Sequence, residues 1–214
     1  RGEKFVREMN RLGMFIDISH VSPATMRDVL RVTRAPVIFS HSSALGITNH
    51  PRNAPDDVLR ALAGNGGVIH VNFIGSFISP DNAAWAAKRK AARKDLQARL
   101  DDEAAIEKAV KEWEKANPEP RGSVALVADH IDHAVKMAGI DHVGIGADFY
   151  DDGASSMVPG LENVTRYPYL FAELLRRGYS DEDLMKIAGR NHLRAMRQME
   201  RVAAALPQTE PPLI

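Results

Sequence analysis

Four short apolar runs, separated by helix-forming stretches, constrain this chain more than any other feature. They are Met14–Ile18, Pro36–Ser40, Gly67–Phe73 and His142–Ala147. Near-continuous apolar strands of about five residues that alternate with helices indicate a parallel sheet covered on both faces. Four such β/α units amount to half of a (β/α)8 TIM-type barrel, which typically takes about 250 residues. A doubly wound open sheet fits nearly as well, and rhythm alone does not choose between them.

The punctuation between the runs is specific. Ser22-Pro23 supplies an N-cap and a proline at the first helical position, so a helix is expected to about Val32. A second should run from about Pro55 to Ala63, closed by Gly64, and a third from Ser123 to Met137, closed by Gly139. Ser180-Asp-Glu-Asp183 has the form of a capping box with Asp in place of Glu or Gln, and a last helix is expected over about Asn191 to Ala205. Residues 81–117 break the rhythm. They are rich in Ala and charged residues with scattered apolar positions, as expected of one long helix or a helical pair inserted after the third strand. At the start, Phe5, Val6, Met9 and Leu12 share a helical face. A chain that opens inside a helix pattern, with no leader-like segment before it, is expected to have sequence upstream.

Composition removes several classes of function. Lys plus Arg and Asp plus Glu are both 28, so no charge imbalance points to nucleic acid or an anionic membrane. The apolar runs are far shorter than the roughly 20 residues a membrane span needs. With no cysteine, any metal must be held by His and carboxylate.

The polar residues behind the strands carry the chemistry. His20 ends the first strand, His41 the second and Asp148 the fourth. In a barrel the carboxyl ends of the strands open onto one face, where active sites lie, so these residues can converge although distant in sequence. Neutral imidazoles with a carboxylate suit Zn²⁺ or a similar divalent ion. A single His behind a strand is more often a cap or hydrogen-bonding residue, but the recurrence of the offset strengthens the ligand reading.

Longer segments carry a resemblance. Gly13–Ser22, Ala35–Ser43, Pro51–Asp57, Val143–Phe149 and Tyr167–Gly178 resemble the membrane (renal-type) dipeptidase family of zinc peptidases, in the family's order and over nearly the whole chain outside the insertion. The resemblance implies a (β/α)8 barrel that cleaves dipeptides, including some with a D-residue at the carboxyl position, with two Zn²⁺ ions and a metal-activated water. It implies that the chain, 1–214, is the carboxy-terminal half of one barrel domain, with 81–117 a helical insertion. His20 and His41 would ligate the second zinc. Arg52 would grip the substrate carboxylate, a role suited to a bidentate guanidinium, and Asp148 would handle the water proton or the substrate amino group. The family's His-x-Asp pair and bridging Glu have no counterpart and are expected upstream of Arg1, on an amino-terminal half with which this chain pairs. An isolated half-barrel would expose strand edges. The Phe149–Gly153 loop is longer than the family's usual one, so Asp151 and Asp152 compete for the second acid's place.

Other residues read more simply. His130 and His133, spaced i, i+3 on the return helix, suit packing or surface roles, and His70 a hydrogen-bonded core position. Asn72 shares a strand side with His70 and is a candidate substrate contact from the rim; His50 neighbours Arg52 but is read as a solvated loop residue. Ser42 and Ser43 lack a nucleophile elbow and are read as support for His41. Gly144-x-Gly146 precedes no helix, against a dinucleotide site. A homodimer is expected; the insertion reads most simply as a solvated helical face, with Trp85 and Trp113 as candidates for a dimer contact or a lid. Two alternatives compete with a dipeptidase: another amidohydrolase-type barrel, such as a deaminase or lactonase, and an inactive half that needs a partner segment. Arg52 discriminates the first, since carboxylate capture suits a dipeptide.

Overall fold

The computed structural model describes residues 2–149 and 156–206. Helix α1 (Gly2–Leu12) leads into an extended segment, followed by α2 (Pro23–Val32), β1 (Ile38–Phe39), α3 (Asp56–Asn65) and β2 (Val68–Val71). A single-turn helix α4 (Gly75–Ile78) and the pair α5 (Asn82–Gln97) and α6 (Glu103–Ala116) intervene before α7 (Val124–Ala138) and β3 (Val143–Ile145). The chain ends in α8 (Tyr167–Arg176), α9 (Asp181–Met185) and α10 (Asn191–Ala205).

The strands are parallel in the order β1-β2-β3, with Ile38 opposite Val68 and Ile69 opposite Val143. The expected first strand is reduced to one parallel bridge, Asp17–Ile38, flanked by Ile18 N–H donating to Ile38 O (2.9 Å) and Ile38 N–H to Ile16 O (3.0 Å). Its outer end does not pair: Met14 is 50% exposed. Strand alternation then divides the layer. Ile16, Ile18, Phe39, Ile69, Val71 and Val143 join Met26, Leu59, Leu62, Ile131 and Leu170 of the helices in one core cluster. Asp17, Ser40 and His70 lie on the other face.

That face is concave. In a flat sheet, next-but-one strands are about 9.5 Å apart. Here a methyl group on Gly146, just past β3, would fall 1.9 Å from the carbonyl oxygen of Ser40, just past β1. The layer therefore curls as a barrel wall does, which decides against the flat doubly wound sheet, and position 146 has room for hydrogen only.

Local signals explain most helix starts. Ser22 Oγ accepts from Thr25 N–H, Ser123 Oγ from Leu126 N–H, and Ser180 with Asp183 forms the full capping box. Two expectations fail. Gly64 does not close α3; the helix runs to Asn65 and ends at Gly66 with φ 80°. The Asn65 amide explains the extension, since its Oδ1 accepts from Val37 N–H (2.8 Å) and its Nδ2 donates to Ala35 O (3.0 Å). In α1, Phe5 and Leu12 are 66% and 54% exposed, so of its apolar stripe only Val6 and Met9 turn inward. Residues 82–116 form a helical pair joined by ion pairs from Arg89 to Glu114 and from Arg93 to Glu103 and Glu107, with Trp85 and Trp113 in ring contact.

His130 links α7 to the segment that follows β1. Its Nδ1 accepts from Ala44 N–H at 3.0 Å, and its Nε2 lies 3.1 Å from Ile78 O. An accepting Nδ1 requires a neutral ring, and burial pushes the pKa of His130 down to about 4. Burial does the same to His70, also to about 4. An unfolded His titrates near 6.5, so these groups contribute full stability above that value. As pH falls from about 6.5 toward 4 the unfolded state alone takes up protons, and stability is lost. Chemical denaturation across this range should show the loss, on the order of 3 kcal/mol per fully buried ring, and a smaller loss in His130→Gln.

Candidate active site

Continuing the Asp17–Ile38 register by three residues sets His20 beside His41 as both leave the sheet. Their Nε2 atoms are 2.7 Å apart and the ring centroids 4.8 Å apart. Asp148 Oδ2 lies 4.0 Å from His41 Nε2. Asp148 has φ 68°, a left-handed conformation that Asp tolerates better than most residues. Burial lowers the pKa of His20, assisted by the charges of Arg52 and His41 and opposed by Asp148 and Asp17. The shift favours the neutral form, the one that can ligate a metal.

Behind His41 lies a carboxylate that the strand-end pattern did not single out. Asp17 Oδ1 accepts from Ser19 N–H (3.0 Å), Ser19 Oγ (2.7 Å) and Ser40 N–H (3.1 Å), and its Oδ2 accepts from Ser40 Oγ at 2.5 Å. Ser40 Oγ is also 2.6 Å from His41 Nδ1. Burial alone would raise the pKa of Asp17, but the hydroxyls and amides of Ser40 and Ser19 outweigh it and hold the group below the usual carboxylate range. Spacing from His20 gave no hint of this. The available signal was alternation: polar residues at 17, 19 and 40 interrupt strands that are otherwise apolar.

Arg52 sits in a loop clamped shut at its base, where Ala54 N–H donates to Ser43 O (2.7 Å) and Leu45 N–H to Ala54 O (3.0 Å). Asn53 Nδ2 ties the loop to Thr48 O and Phe77 O, and Arg52 N–H donates to His50 Nδ1. The Arg52 guanidinium carbon lies 5.0 Å from the Phe77 ring centroid, and its Nε and Nη2 are buried with no hydrogen-bond partner among the described residues. Burial lowers its pKa against the pull of Asp148 and Asp17. It remains charged, because a guanidinium titrates far above neutrality.

The remaining candidates are placed less centrally. Asn72 is fully buried, with Oδ1 accepting from Ile74 N–H and Nδ2 without a partner among the described residues. His70 is a hydrogen-bonded core residue, with Nδ1 donating to Phe39 O (2.7 Å) and Nε2 3.2 Å from His192 Nδ1. His133 pairs with Asp56 at 2.7 Å, and the half-buried His50 packs on Phe77 rather than standing free in solvent. The hydroxyls of Ser42 and Ser43 are buried without partners among the described residues, and it is Ser40 that touches His41. Asp151 and Asp152 lie outside the described residues. Among those described, no helix is long and apolar enough to cross a membrane.

The family model of membrane dipeptidases (peptidase family M19) matches residues 1–210. The chain belongs to this family. Dipeptidase verJ of Clonostachys rogersoniana is 40% identical over 208 residues, which are 97% of this chain and 43% of that protein. The chain thus spans well under two thirds of the length of a curated relative it matches. Among solved structures it is similar to the probable dipeptidase PvdM from Pseudomonas aeruginosa, with TM-score 0.77 and 29% identity over 94% of this chain and 54% of that one. It is also similar to a metallo peptidase from Rhodobacter sphaeroides liganded with a phosphinate mimic of the dipeptide L-Ala-D-Ala, with TM-score 0.69 and 27% identity over 92% of this chain and 46% of that one. The fold of this M19 chain is accordingly a partial α/β barrel.

Two imidazoles with Nε2 atoms 2.7 Å apart, beside a carboxylate, fit part of the donor set of a divalent ion. Among the described residues no group of three or more His, Asp or Glu that could hold an ion is assembled. The rim also depends on close backbone approach. Gly146→Ala should press on the Ser40 carbonyl and lower stability by about 1–3 kcal/mol or more, read as a shift in the denaturation midpoint.

Proposed function

We propose that the protein to which this M19 chain belongs hydrolyses dipeptides at a two-zinc site, with His20 and His41 as ligands of one ion, Arg52 as the clamp for the substrate carboxylate and Asp148 as the proton-handling acid. One observation carries the reading: a half-buried guanidinium whose Nε and Nη2 are buried and have no partner among the described residues, electrostatically coupled to His20 and Asp148. An unsatisfied buried donor costs about 1–3 kcal/mol, and an entering carboxylate removes that cost by a bidentate pair. A dipeptide always carries such a group close to its scissile bond. A deaminase or lactonase substrate has no general need for it.

The chain's own residues divide the work. His20 and His41 hold the ion through Nε2, and Arg52 fixes the carboxyl end of the substrate. Asp148 Oδ2 is placed to accept the proton of an attacking water and to pass it to the amine nitrogen as the peptide C–N bond breaks. A divalent ion held beside it would acidify that water and polarise the scissile carbonyl. Asn72, with a free amide N–H2 buried past β2, is kept as a secondary candidate contact.

The remaining ligands, a His-x-Asp pair and a bridging Glu, are proposed to come from an amino-terminal half of the barrel. Support comes from the open edges of the layer, since residues 16–18 and β3 each have a sheet neighbour on one side only among the described residues. Acceptance of a D-residue at the carboxyl position and homodimerisation are parts of the same proposal and rest on the family resemblance and on the exposed insertion.

In the full-length protein, His20→Ala and His41→Ala should lose bound zinc in metal analysis together with dipeptide hydrolysis. Arg52→Ala should retain zinc and lose about 30-fold or more in kcat/KM, the cost of removing one partner of a buried charge pair. Full activity of Arg52→Ala toward dipeptides would exclude the clamp.

A further inference from the structure

We infer that Asp17 and Ser40 are positioning residues that set the tautomer of His41, presenting its Nε2 lone pair, rather than an N–H, toward His20 and Asp148. The inference rests on the proposed metal site but draws on different atoms. Asp17 and Ser40 are not placed as metal ligands or substrate contacts.

The direction of each proton follows from what each group can do. A carboxylate only accepts, so the single hydroxyl proton of Ser40, 2.5 Å from Asp17 Oδ2, belongs to that contact. Ser40 Oγ can then only accept at its second contact, 2.6 Å from His41 Nδ1. The ring proton must therefore sit on Nδ1, which leaves Nε2 bare. Ser19 repeats the logic for the backbone: its Oγ donates to Asp17 Oδ1 at 2.7 Å and accepts from His41 N–H at 3.2 Å. One carboxylate thus orients both the ring and the main chain of His41. Hydrogen bonds of this kind to the far nitrogen of a ligating histidine fix its orientation and raise its basicity.

Asp17→Asn is the informative change. The amide oxygen can still accept from the Ser19 and Ser40 amides, but the group facing Ser40 becomes a donor. The Ser40 proton, no longer held by a carboxylate, is then free to turn to His41 Nδ1, which moves the ring proton to Nε2. In the metal-free full-length protein at alkaline pH, ring ¹⁵N–¹H correlations of His41 should report Nδ1–H in the wild type and Nε2–H in Asp17→Asn. Zinc affinity, read by competition with a chromophoric chelator, should fall about 10–100-fold in Asp17→Asn and Ser40→Ala, and Ser40→Thr should restore most of it. If Asp17→Asn does not fold, the Ser40→Ala and Ser40→Thr pair carries the test. A wild-type ring already protonated on Nε2, or an unchanged spectrum and affinity in the variants, would overturn the inference. If the tautomer moves as stated while the wild type binds no zinc, the positioning role stands and the metal site falls.

Discussion

Parallel pairing of residues 16–18 with β1 obliges His20 and His41 to leave their strands side by side, and the rest of the rim is arranged around that constraint. The same register turns Asp17 toward Ser40, so one carboxylate ties the first two strand ends together beneath the imidazoles. The third strand end joins by close approach rather than by hydrogen bonding. Gly146 lets the backbone before Asp148 come against the Ser40 carbonyl, and the left-handed turn at Asp148 places its carboxylate beside His41. Curvature of the sheet and convergence of the side chains are therefore one property: a flatter layer would separate Asp148 from the histidines.

The electrostatic arrangement costs stability locally. Burial works against the charged forms of His20 and Arg52 alike, and two donors of the Arg52 guanidinium have no partner among the described residues. Asp148 and Asp17 offset part of this at a distance but form no hydrogen bond with it. Such a group is expensive in an empty protein and favourable once an anion arrives, which is how a binding site differs from a structural ion pair. Arg177 is the contrast within the same molecule. Its guanidinium is likewise largely covered but fully engaged by Glu173, Asp129 and Asp132, an arrangement that joins α7 to α8 and leaves nothing for a ligand.

The sequence disclosed features governed by local chemistry. Serine caps at 22, 123 and 180 were readable because capping is decided within a few residues, and the His pair because the strand-end offset repeats. Features decided by contact between distant segments were not. The end of α3 moved from Gly64 to Gly66 because the Asn65 amide is held by the strand entry at Ala35 and Val37. Phe5 and Leu12 belong to a clean helical stripe, yet the body of the protein covers only part of it. Asp17 was the largest omission, since its four bonds come from its own strand and the next, and no spacing rule links residue 17 to residue 40. Arg52 was legible only through family resemblance; nothing local distinguishes it from any other loop arginine until its unpartnered guanidinium is seen.

The concave face gives the proposal of a completed barrel its physical content. The helices cover one side of the sheet, and the core cluster lies there. The other side carries Ser40, His70 and Gly144, which line a cleft together with Ile187, His192 and Leu193. Polar groups on that face are satisfied mainly along the strand layer, His70 by Phe39 O and Ser40 by Asp17, with His192 of α10 as a further partner of His70. A wall that satisfies its polar groups laterally can meet a second wall through packing alone, without new hydrogen-bond partners for its interior. The strand-end donors would then be the groups that reach across, which is where the proposed ligands from the other half would be needed.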